Sequence, residues 1–174
     1  MMFPYPIEWP QFYTASTRAR LPLLSSDKYK NITTDSLHFM VHDRRIELNA
    51  FVLMDDHIYL IWQPLPGHSL SSIQLNFMKF TAQRIKRELY INDPMLLEQC
   101  RGNKSDRDYQ VWKRKPLSIE LSSAKAFLQK LEYIHYNPVK AGICAFPEHY
   151  YFSSALFYEN AIDHFNMLTH YMGE

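Results

Sequence analysis

The chain predicts an α+β fold of the ferredoxin-like, split β-α-β kind, an antiparallel sheet with helices packed on one face. Three observations carry this. The hydrophobic periodicity switches between two and 3.6 residues in the order β-α-β-β-α-β-α. Two strand-like runs, 46–54 and 57–63, are separated only by Asp55-Asp56, so the second returns along the first. A length of 174 residues, 47% hydrophobic and with only 4 glycines, suits one domain with a real core.

The elements follow in order. "QFYTASTRARLPLL" is an aromatic and β-branched strand stopped near Pro22. "SSDKYKNITTDSLHFMVHDRR" is a helix with Ser26 or Asp27 as N-cap and Ile32, Leu37, Met40 and Val41 as its apolar face. In "IELNAFVLM" the alternation places Ile46, Leu48, Ala50, Val52 and Met54 on one side. "HIYLIWQ" is the returning strand, broken by "PLPGH". The longest helix is "SLSSIQLNFMKFTAQRIKRELY", with Leu70, Ile73, Phe77, Ala82, Ile85 and Leu89 at helical spacing and a basic outer side. After a loop of mixed charge, "YQVWKRKPLSIEL" reads as a strand with an irregular end. "SSAKAFLQKLEYIHYN" is a helix capped by Ser122 or Ser123, with Ala124, Phe127, Leu128, Leu131 and Ile134 as its stripe. Pro138 ends or kinks it, and Gly142 is a natural stop.

Composition narrows the function classes. Two cysteines, Cys100 and Cys144, make no disulfide framework and have no metal-motif spacing, which suits a reducing cytosol. The start "MMFPYPIEWPQF" lacks a basic region followed by an apolar core, so no secretory leader is expected. No apolar run reaches the roughly 20 residues that span a bilayer. A soluble cytoplasmic protein of one domain, 1–174, with an acidic tail at 159–174, is the expectation. The net charge of +1 hides an asymmetry. Residues 79–140 hold 13 Lys/Arg against 7 Asp/Glu, whereas residues 141–174 hold none against 4. That basic third is where a phosphate backbone would be held; the plainer reading is a solvated helix face.

Two stretches carry chemistry. In "HIYLIWQ", His57 and Tyr59 share one face of the strand. In "LEYIHYNPVKAGI", Tyr133 and Asn137 are four apart and share a helix face if the helix reaches Pro138. A tyrosine and an amide facing a histidine could form a phosphoryl-transfer site, with the tyrosine as nucleophile and the other two on a divalent cation. By themselves these residues fit packing better, since the chain has 12 tyrosines and a lone strand histidine is more often structural.

The chain resembles the IS200-like tyrosine transposases, including relatives associated with repetitive extragenic palindromes, over residues 11–158. "YIHYNPVKAGI" matches the family's nucleophile helix nearly residue for residue, and "VLMDDHIYLIWQP" stands where the family has a strand bearing His-hydrophobic-His. "QVWKRKP" and "YYFSSALFY" are weaker matches, in the same order. The resemblance implies single-stranded or hairpin DNA as partner, attack by Tyr133 to give a 5′-phosphotyrosine link, and Mg²⁺ or Mn²⁺ on His57 and Asn137. Family members proper are dimers with shared sites, and the palindrome-associated ones are monomers, so either state is open. Tyr59 departs from the pattern, standing where the second histidine belongs, and a phenol is a poor ligand. Asp55 or Asp56 could supply a carboxylate instead. DNA contacts are expected from Arg84, Arg87, Lys113, Arg114 and Lys115. Tyr136 reads as packing or DNA contact, and His135 is given no role. Three readings follow: an active transposase with an altered metal site, a DNA-hairpin-binding module that has lost chemistry, or a domain that stacks single strands on aromatics. The motif at 133–143 argues against the last.

Overall fold

Strand β1 (Gln11–Ser16) ends at Thr17, whose buried hydroxyl donates to the backbone oxygens of Leu21 (2.7 Å) and Asp56 (3.1 Å). This computed structural model describes residues 8–102 and 109–173; the expectation for the leader, and part of the mixed-charge loop, lie outside the described residues. Helix α1 (Asp27–His42) begins at Ser26, whose side chain accepts from the Lys28 N–H. Strands β2 (Ile46–Leu53) and β3 (His57–Pro64) form the expected pair across Asp55-Asp56. Helix α2 (Leu70–Asn92) follows a Ser69 cap, and a short helix α3 (Pro94–Gln99), unforeseen in the sequence, extends it. Of the strand expected at 109–121, only β4 (Leu117–Glu120) is regular; Trp112 bridges singly to Thr17. Helix α4 (Ala124–Lys140) is capped by Ser123, and α5 (Ala155–Asn160) comes last.

The four strands pair antiparallel in the order β2-β3-β1-β4, the split β-α-β arrangement. Helices α1 and α2 cover one face. Their Leu37, Met40, Phe77 and Ile85 join Tyr13, Phe51, Leu60 and Trp62 in the larger core. The expectation of helices on one face needs amending, because α4 packs on the other. Phe127, Leu131 and Ile134 meet Phe12, Ala50, Val52 and Ile61 there. The physical reason is that β3 is apolar on both sides: Ile58, Leu60 and Trp62 point one way, Ile61 the other, and all are buried.

Two further expectations are corrected. The alternation in β2 is broken by a bulge, since Leu48 pairs with Trp62 and Ala50 with Ile61, leaving Asn49 extra. Ile46 and Leu48 therefore lie in the larger core, whereas Ala50, Val52 and Met54 face α4. In α4, Ala124 and Leu128 are exposed, and His135 and Pro138 complete the buried stripe. Pro138 does not end the helix, which runs two residues further. Gly142, at φ +75°, then closes a Schellman turn: its N–H donates to Val139 O, and the Ile143 N–H donates to Pro138 O, both at 3.0 Å.

Residues 150–171 seal the outer edge of β2. Ser153 bridges to Val52, Leu168 bridges to Leu48, and the hydroxyls of Tyr150 and Tyr158 donate to the oxygens of Leu53 (2.6 Å) and Asn49 (2.9 Å). The Asp163 carboxylate accepts from the N–H groups of Phe165, Met167 and Leu168, and the Thr169 N–H donates to Leu48 O, which holds this acidic stretch against the sheet.

Candidate functional site

Antiparallel pairing at the end of β3 sets His57 opposite Ser16 and Tyr59 opposite Thr14, all on the α4 side. The structure brings His57, Tyr59, Tyr133 and Asn137 together. The Tyr59 and Tyr133 hydroxyls are 3.4 Å apart, and His57 Nε2 lies 3.2 Å from Asn137 Oδ1. The Tyr59 ring stacks on Phe12 (centroids 5.7 Å apart) and meets the rings of His57 and Tyr133 edge-on at 4.9 and 5.3 Å. Tyr133 itself is 41% exposed.

The Asp-Asp turn divides its two carboxylates. Asp55 turns toward α1, where the buried Lys30 ammonium donates to its Oδ1 (3.0 Å) and to Leu24 O (2.6 Å). Asp56 turns toward the site. Its Oδ1 is 2.6 Å from His57 Nδ1 and its Oδ2 accepts from Arg20 Nε at 3.0 Å. Arg20 reaches it from a left-handed backbone, φ 56°, next to Ala19 at 51°. Two successive non-glycine residues in that region cost energy that the surrounding contacts must supply.

As it stands the donor set is too small for Mg²⁺ or Mn²⁺. Hard cations take several ligands, mostly oxygens, and the converging atoms are only one imidazole nitrogen and one amide oxygen. The third candidate, Tyr59, holds its proton more tightly than an ordinary phenol, through burial first and then its hydrogen bond to Tyr133. Both carboxylates of the turn are engaged by other groups, Asp56 on the far nitrogen of the ring. Among the described residues no three His, Cys, Asp or Glu side chains converge.

The expected DNA contacts separate into two groups. Lys113, Arg114 and Lys115 are exposed at the rim of a groove between α2 and residues 109–116, which the exposed Lys79 and the half-buried Lys86 also line. Trp112 anchors that rim, its indole N–H donating to the buried Thr81 hydroxyl at 3.0 Å. Arg84 and Arg87 are exposed on α2 outside this groove, with Arg84 over the Phe80 ring. Tyr136 is exposed beside Tyr133 on the outer side of α4. His135 is buried, its Nε2 2.8 Å from the Ser154 hydroxyl, which also meets the backbone of Phe51.

Two residues at the site were missed in the sequence. The Lys130 ammonium lies 4.7 Å from the centre of the Phe12 ring and 5.6 Å from that of Tyr133, and Lys140 approaches the Tyr133 ring at 6.0 Å. The signal was present: Lys130, Tyr133, Asn137 and Lys140 recur at helical spacing.

A tyrosine and an amide on a helix thus stand beside a histidine and a second tyrosine on an inner strand of the sheet. Comparison with solved structures agrees on the fold. The chain superimposes on a REP-associated tyrosine transposase bound to a REP hairpin with a TM-score of 0.64 and 19% identity, covering 100% of this chain and 96% of that one. A transposase candidate from Deinococcus radiodurans R1 gives a TM-score of 0.51 and 16% identity, covering 77% and 94%. No family model and no curated protein matches the sequence.

Proposed function

We propose that this protein binds single-stranded or hairpin DNA at the Tyr133 face, and that Tyr59 impairs strand cleavage there. The observation that carries the reading is the cluster itself: Tyr133 and Asn137 of α4 lie over His57, while the Tyr59 phenol occupies the remaining place and hydrogen-bonds the attacking tyrosine. The fold shared with a protein bound to a REP hairpin supports the choice of partner.

The second reading, retained cleavage, is supported by the completeness of the Tyr133, His57 and Asn137 set. In that reaction the Tyr133 oxygen bonds to phosphorus and the bond from phosphorus to the 3′-oxygen breaks. The phenol proton passes to the 3′-oxygen, leaving a 5′-phosphotyrosine and a free 3′-hydroxyl.

Adduct formation on a denaturing gel tests both readings, using a labelled hairpin with a single-stranded extension and Mg²⁺ or Mn²⁺. The natural chain is expected to give little or no adduct, Tyr59→His more, and neither any once Tyr133→Phe is added. A strong adduct from the natural chain would establish the second reading. An adduct that persists with Tyr133→Phe would show that another residue attacks.

A further inference from the structure

We infer that Lys130 and Lys140 form a phosphate-binding clamp around Tyr133, and that this clamp holds the DNA backbone without a divalent metal. The inference rests on the DNA-binding reading above and adds to it which groups supply the positive charge.

Three observations converge. His57 and Asn137 alone offer too few donors to hold a divalent cation, so charge on a phosphate placed at Tyr133 must be met by other groups. Both ammonium groups lie within 6.0 Å of the Tyr133 ring centre, one from the turn before it on α4 and one from the helix end. Neither has a carboxylate partner among the described residues, whereas Arg20, the other cation at the site, is tied to Asp56. Lys130 is half-buried, with its ammonium over the Phe12 ring, so its position is set before DNA arrives. A preorganised ammonium beside the tyrosine gives a phosphate oxygen a charge-assisted hydrogen bond. Glu132 is exposed and lines the same surface depression as Lys130, Tyr133 and Lys140, but it pairs with neither lysine.

The test is a salt titration of binding, by fluorescence anisotropy, of a labelled hairpin with a single-stranded extension. Each phosphate contact on a single strand contributes about 0.7 to the slope of log K against log salt. The slope is expected to fall by about 0.7 in Lys130→Gln or Lys140→Gln and by about 1.4 in the double variant. Lys130→Arg should restore the natural slope, and EDTA should leave the affinity of the natural chain within about twofold. Thermal melting of each variant separates loss of charge from loss of folding. Absence of any binding by the natural chain would overturn the DNA reading itself. Binding with an unchanged slope in the folded double variant would overturn only the clamp. Binding that EDTA abolishes would overturn its metal independence.

Discussion

Burial keeps the His135 imidazole neutral, with its pKa lowered from 6.5 to about 4. A folded-state value below the unfolded one means that the unfolded chain takes up a proton first. Stability is therefore fully present above pH 6.5 and is lost as pH falls toward 4, by at most about 1.4 kcal/mol per pH unit. Urea unfolding at intervals between pH 7 and pH 4 should show this decline, and His135→Gln should flatten it. An equal decline in that variant would assign the effect to other groups. Tyr59 makes a different case, because its ring does the packing and its hydroxyl makes only a long bond to Tyr133. Tyr59→Phe should change stability by no more than about 1 kcal/mol, read from the denaturation midpoint. His135 and Tyr59 also show what single positions revealed. The departure at Tyr59 was visible in the motif. The role of His135 was not, since it depends on Ser154, which the chain brings in only after α4 is complete.

At the scale of elements, helix boundaries were legible because caps are local. Ser26 and Ser123, each read as a possible cap, present an oxygen to an otherwise unpaired N–H, and Ser69 does the same for α2 although it was not named. The bulge at Asn49 was not legible, because pairing against β3 decides it and either register buries apolar side chains. Nor was the face taken by α4, because a strand apolar on both sides does not say which helix lies where. Leu128 was assigned to the core on spacing alone, yet it points outward beyond the edge of the buried stripe. Leu128→Gln should accordingly cost less than about 0.5 kcal/mol. Gly142 is the opposite case. Its left-handed φ, with no atom crowding an added Cβ, makes the backbone strain the main cost of Gly142→Ala, about 1 kcal/mol. The loosened turn lies five residues beyond Asn137, so hairpin affinity measured alongside the melting curve should weaken as well.

For the whole molecule, every member of the candidate site comes from one chain: His57 and Tyr59 from β3, Tyr133 and Asn137 from α4. The tyrosine already stands over its own histidine, so a second copy is not needed to complete the cluster. One protein per hairpin, as a monomer, is the stoichiometry expected from light scattering after size-exclusion chromatography of the complex. A two-to-two complex that dissociates into inactive monomers on dilution would refute it.

The sealed edge of β2 bears on how the chain is made. Strands 46–53 and 57–64 can pair early during synthesis, but β2 keeps its outer N–H and C=O groups unmatched until residues 152–169 have left the ribosome. At about 5–20 residues per second, some 100 residues of delay leave that edge open for roughly 5–20 s. An exposed strand edge is a template for pairing with another chain. Nascent chains stalled at residue 145 should thus be captured by chaperones and cut readily by protease, and chains stalled after residue 169 has cleared the exit tunnel should resist both.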